Sequence, residues 1–180
     1  MELDQQQRGI VLRSLAAFVV AAAVLGAGYL WLPPSFVGVG SSMSLADGIA
    51  FALKWDLLIF LWLLGCIQVA ARTRLPSPGD RPDSASAPPR PATLVPSAVL
   101  QNSLEQTVIA LGAHLILATL LRGPELVIIP LLVLLYLIGR IGLAAGYAMG
   151  VVGRAFGMAL TSAAAIAGYG IALALVIAGR

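Results

Sequence analysis

The sequence predicts an all-α transmembrane protein of five helices, and three observations carry that reading. Of 180 residues, 59% are hydrophobic and only 11% are charged, with a mean hydropathy of +0.95. A soluble domain carries about 25% charged residues, so the composition belongs in a bilayer. The apolar residues fall into five runs, each able to approach the ~20 residues that span ~30 Å of hydrocarbon. In lipid every backbone polar group needs a partner within the segment, so the runs are read as helices.

The first run, Ser14 to Leu32, has 19 uncharged residues and stops at Pro33-Pro34. A secretory signal peptide is the rival reading. The long front end with Glu2, Asp4, Arg8 and Arg13, and the vague small-residue site near Gly26-Ala27-Gly28, argue against it. The second run, Ser44 to Ala71, opens with Ser44 and Asp47, a capping-box pattern. Lys54 and Asp56 are expected near the outer interface, with Lys54 snorkelling. Residues 75–97 are rich in Pro, Ser, Asp and Arg and are expected to be a mobile, solvated loop.

The remaining helices are expected over about 98–121, 125–152 and 156–179. The third carries Asn102, Glu105 and His114. The fourth contains Pro130 near its start, where a kink costs least, and Arg140. The fifth is dense in Gly, Ala and Ser. Its Ala164 and Gly168 form a small-xxx-small pair suited to close packing, and it reads as scaffold.

Charge sets the orientation. With a cytoplasmic N-terminus, Arg8, Arg13, Arg72, Arg74, Arg81, Arg90 and Arg154 gather on the inner side, against Lys54, Arg122 and Arg180 outside. That obeys the positive-inside rule. A net charge of +3, scattered along the chain, does not argue for nucleic acid. The lone Cys66 excludes an internal disulfide framework. No phosphate loop, Ser-His-Asp grouping, metal-ligand cluster or internal repeat is present.

The polar groups of the third and fourth helices concentrate at one membrane face. Asn102 and Glu105 are three residues apart and share a helical side. Arg140, Tyr147 and Arg154 are spaced by sevens and form a ladder if the helix continues. Glu105 is expected to pair with Arg140, because an unpaired ion in a membrane helix is costly. Such groups can simply glue helices together. They can equally line a pocket for a small anion bearing a thiol, since a guanidinium forks onto carboxylates and favours a thiolate. His114 lies on the other side of its helix from Glu105 and suits helix-to-helix hydrogen bonding. Cys66 reads as a small apolar residue.

The stretch YLIGRIGLAAGYAMG, Tyr136 to Gly150, closely resembles the third core helix of the MAPEG family, the membrane-associated proteins in eicosanoid and glutathione metabolism. Gly139-Arg140 and Tyr147 stand at the family's spacing. AVLQNSLEQ supplies the Asn and Glu of the family's Arg-x-x-x-Asn-x-x-Glu signature as Asn102 and Glu105, and QVAARTR resembles the arginine-rich exit of its first core helix. The resemblance, to a bacterial-type member, implies a four-helix MAPEG-like bundle over 44–180, with residues 1–43 as an additional N-terminal transmembrane helix and connection. It implies a homotrimer in the bacterial inner membrane that binds glutathione between protomers and takes a lipophilic small molecule from the surrounding lipid. Arg154 would stabilise the thiolate and Tyr147 would hydrogen-bond the sulfur or substrate. Asn102, Glu105 and Arg140, with Arg72 and Arg74, would hold the tripeptide, Glu105 taking its ammonium. The implied activity is a glutathione transferase or peroxidase.

Departures leave a second reading open. Ala98 stands where the signature has Arg. Gln101 and Gln106 replace frequent basic or aromatic neighbours, and Leu143 replaces the His of the prostaglandin-forming branch. These allow a non-catalytic trimer that binds lipid or a protein partner.

Overall fold

A computed structural model describes residues 4–40, 42–75 and 91–180. The architecture is an α-helical membrane bundle of α1 (Gln5–Trp31), α2 (Leu45–Arg74), α3 (Pro91–Leu120), α4 (Ile128–Gly146) and α5 (Gly150–Ile177). Short 3-10 turns at Pro34–Val37, Gly123–Val127 and Tyr147–Met149 join successive helices. The first three helices are each long and apolar enough to cross a membrane, as is the run Gly123–Ile177 that holds α4 and α5.

Caps fix the helix starts. Asp4 accepts from the Gln7 amide at 2.7 Å, and the Gln7 side chain accepts from the Asp4 amide at 3.0 Å. Ser44 and Asp47 close the same reciprocal pair at α2, at 3.2 and 3.0 Å. Each box satisfies amides that the first helical turn leaves bare.

Two boundaries differ from the sequence expectation. The loop expected over 75–97 ends early, because α3 begins at Pro91. Proline at the first helical position loses no hydrogen bond. Thr93 and Val99 are buried, and Arg74 of α2 donates to Ser97 at 3.1 Å, which draws this stretch into the bundle. Pro96 therefore lies inside a helix. Residues 76–90 of the expected loop, with Arg81 and Arg90, lie outside the described residues.

The second difference is at α4–α5. The fourth helix does not run to 152. The chain reverses at Tyr147–Met149 and Gly150, whose φ of +73° is a left-handed value that glycine adopts without strain. Glycines let the two helices touch backbone to backbone. A Cβ on Gly146 would stand 2.6 Å from Arg154 Cα, and one on Gly157 2.6 Å from Gly142 C. The ladder expected on one helix is thus split, with Arg154 on α5.

The main core joins Ala17 and Ala21 of α1, Phe51 and Ala52 of α2, Leu117 of α3, Leu132 and Leu135 of α4 and Leu160 of α5. The first helix lies along α4 and α5. Arg13 donates to the Val152 carbonyl at 3.0 Å, and a Cβ on Gly9 would come within 3.2 Å of Val152. Leu12, Leu15, Val19, Leu57, Leu61 and Leu64 are exposed, as expected of lipid-facing positions. At the other end Arg180 Nη1 donates to both Glu125 oxygens, at 2.8 Å to Oε1 and 2.7 Å to Oε2.

Gly157→Ala should destabilise the bundle by about 1–3 kcal/mol through overpacking, read by reversible denaturation in mixed micelles. Gly170→Ala, at an exposed mid-helix position where a Cβ meets nothing within 4 Å, should instead leave the bundle intact and stabilise it by about 0.5–1 kcal/mol.

Candidate functional site

Arg140 is fully buried where α3, α4 and α5 meet. Its Nη1 donates to Asn102 Oδ1 at 2.6 Å and its Nε donates to Thr161 Oγ1 at 3.1 Å. Thr161 in turn donates to the Gly157 carbonyl at 3.1 Å. The guanidinium also stands 5.8 Å from the centre of the Tyr136 ring, within cation–π range. One side chain thus pins three helices. The glycine contact between α4 and α5 makes this possible, since a Cβ on Gly139 would collide with Thr161. Arg140 Nη2 has no partner among the described residues.

The expected Glu105–Arg140 pair does not form. Glu105 is exposed and accepts from Gln101 Nε2 at 2.9 Å. The reason is angular. A three-residue step is 300°, so Glu105 sits about 60° around the helix from Asn102. That is enough to turn Asn102 inward and Glu105 outward.

Tyr147 and Arg154 remain together despite the chain reversal. Both are half-buried, and the Arg154 guanidinium lies 4.7 Å from the Tyr147 ring centre. Tyr147 is two turns beyond Arg140, about 10 Å along the axis. Arg72 and Arg74 are exposed at the end of α2, and Arg74 is held at Ser97. The expected site residues therefore fall into two contacts, Asn102 with Arg140 and Tyr147 with Arg154, with Glu105 and Arg72 open on the surface.

The sequence reading missed a second polar system. Asp56 is not at the interface but 1% exposed, with Oδ1 2.6 Å from His114 Nδ1. His114 makes the helix-to-helix bond its position suggested. Nearby, Thr107 Oγ1 and Tyr136 Oη lie 2.8 Å apart, and Trp62 Nε1 donates to Ser103 Oγ at 3.1 Å. Tyr136 stands four residues before Arg140, and Ser103 four before Thr107, spacings that place each pair on one helical side. Thr161, in a run of small residues, offered no such signal.

The fold and these contacts define a class: a multi-pass integral membrane protein with an arginine-centred polar cluster between its core helices. The chain belongs to the MAPEG family, whose family model matches residues 50–174. The first helix, α1, precedes the matched region and is an N-terminal addition. No curated protein and no solved structure matches the chain.

Removing one member of the buried Asp56–His114 pair should cost far more than removing both. His114→Leu strands a carboxylate in the bundle, an effect of about 3–5 kcal/mol. Asp56→Leu with His114→Leu should recover most of that stability in the same denaturation assay.

Proposed function

We propose that this chain is a glutathione-dependent transferase or peroxidase for lipophilic electrophiles. It acts as a homotrimer in the bacterial inner membrane, with its N-terminus in the cytoplasm. The observation that carries the reading is the Arg154–Tyr147 contact at the end of the bundle that also holds Arg72 and Arg74. Arg8, Arg13 and these arginines share one face, which supports the orientation by the positive-inside rule.

The donor set suits a tripeptide with two carboxylates, an ammonium and a thiol. The exposed Glu105 takes the ammonium, and the exposed Arg72 and Arg74 take carboxylates with forked hydrogen bonds. Asn102 contributes to holding the amides. Arg140 has no exposed surface, so it positions Asn102 rather than touching the ligand. Glutathione, when bound, supplies the thiol that attacks the electrophile. Arg154 holds the sulfur's negative charge, and its guanidinium favours loss of the thiol proton. Tyr147 donates its hydroxyl hydrogen to the sulfur or to the departing group. The electrophile arrives from the lipid along the cleft between copies.

A second reading has its own support. Ala98 offers no anion anchor, and Arg140 is sealed inside the bundle. On that reading the cluster is a structural staple in a non-catalytic trimer that binds lipid or a protein partner.

Detergent-purified protein should gain thermal stability with millimolar glutathione, and Arg154→Ala should lose most of the gain. Turnover of an aromatic halide should fall about 10²–10³-fold in Arg154→Ala and about 10-fold or more in Tyr147→Phe. No stabilisation and no turnover in wild type would favour the non-catalytic reading.

A further inference from the structure

Gln106 Oε1 is buried with no partner among the described residues. A small cavity beside it, between α3, α4 and α5, has about 10 Å³ open to the centre of a water molecule. Its wall includes Gln106, His114, Tyr136 and Thr161. The last three side chains are at most 3% exposed. A space of roughly this size holds one water, provided two to four polar groups meet it.

The hydrogen-bond inventory leaves room for such a guest. Gln106 Oε1 has both lone pairs open. Thr161 Oγ1 donates to Gly157 and accepts from Arg140, which leaves one lone pair. His114 uses Nδ1 on Asp56, and it lines the cavity with a second ring nitrogen in its imidazole. Tyr136 Oη is engaged with Thr107 and the Ser103 carbonyl, so it bounds the cavity without being needed as a partner. A wholly apolar cavity of this size stays dry; this wall is mostly apolar, through Ala110, Leu132, Ala164 and Ala165, but Gln106, Thr161 and His114 bring polar groups to it.

We propose that the cavity is a binding site for one structural water, held by Gln106, Thr161 and His114. The water completes a hydrogen-bonded chain across the bundle: Asp56, His114, water, Thr161, Arg140 and Asn102. The pair that joins α2 to α3 is thereby tied to the guanidinium that joins α3, α4 and α5. Polar chains of this kind, with acid and histidine inside the membrane, are normally functional. Here the chain links the bundle interior to the Asn102 end of the candidate site.

His114 is the only histidine, so histidine-selective isotope labelling gives a single imidazole signal. In lipid bilayers, solid-state NMR can read magnetisation transfer from water protons to that imidazole. Wild type should show transfer at short mixing times. Ala110→Val and Ala165→Val, which fill the cavity from α3 and α5, should each reduce it several-fold. Gln106→Leu, which removes the bare acceptor, should reduce it as well. Absence of transfer in wild type overturns the proposal whether or not the variants fold. Undiminished transfer in the folded variants overturns it too, since the water would then reach His114 by another route.

Discussion

A guanidinium inside a membrane bundle must be met by oxygen. Arg140 is met by two neutral ones, Asn102 Oδ1 and Thr161 Oγ1. Hydrogen bonds to a charged group contribute about 1.5–3 kcal/mol, more than neutral ones. The alternative for the arginine is bare hydrocarbon. This single requirement orders much of the structure. It sets the rotation of α3, since Asn102 must face inward. It sets the depth of contact between α4 and α5, since Thr161 reaches the guanidinium only where Gly139 and Gly157 allow the backbones to close. It leaves Glu105 outside, on the exposed side of α3 beside Gln101.

The same constraint separates the roles of the arginines. Arg140 is sealed and structural in its contacts, whereas Arg154 is half-buried and stacked on Tyr147. The reversal at Gly150 brings Arg154 back beside Tyr147 from a different helix. A loop insertion there would move the second contact without touching the first. The N-terminal helix α1 stands apart from both contacts. It covers α4 and α5 on the side held by Ala17, Ala21 and Arg13. It braces the pair of helices that carries Arg140 and Arg154.

Much of this was legible in the residues. The five spans follow from hydropathy and from the cost of bare backbone in lipid. The Ser44–Asp47 start follows from spacing. Other features were hidden for physical reasons. The α4–α5 reversal falls in an apolar, glycine-rich stretch where hydropathy hardly changes. The early start of α3 was masked by Pro91, which a first turn tolerates, and by Pro96, which lies inside the helix. The Asp56–His114 pair joins residues 58 apart on two helices, a contact that no local pattern announces. The error over Glu105 was finer. Shared helical side is a coarse category, and about 60° of rotation decides between buried and exposed.

The central claim is that Asn102 and Arg140 act as one energetic unit. A double-mutant cycle with Asn102→Ala and Arg140→Leu, measured by reversible unfolding in mixed micelles, tests it directly. The account predicts a coupling of about 1.5–3 kcal/mol, the value of a hydrogen bond to a buried charge. Additivity within about 0.5 kcal/mol, the behaviour of independent sites, would contradict it.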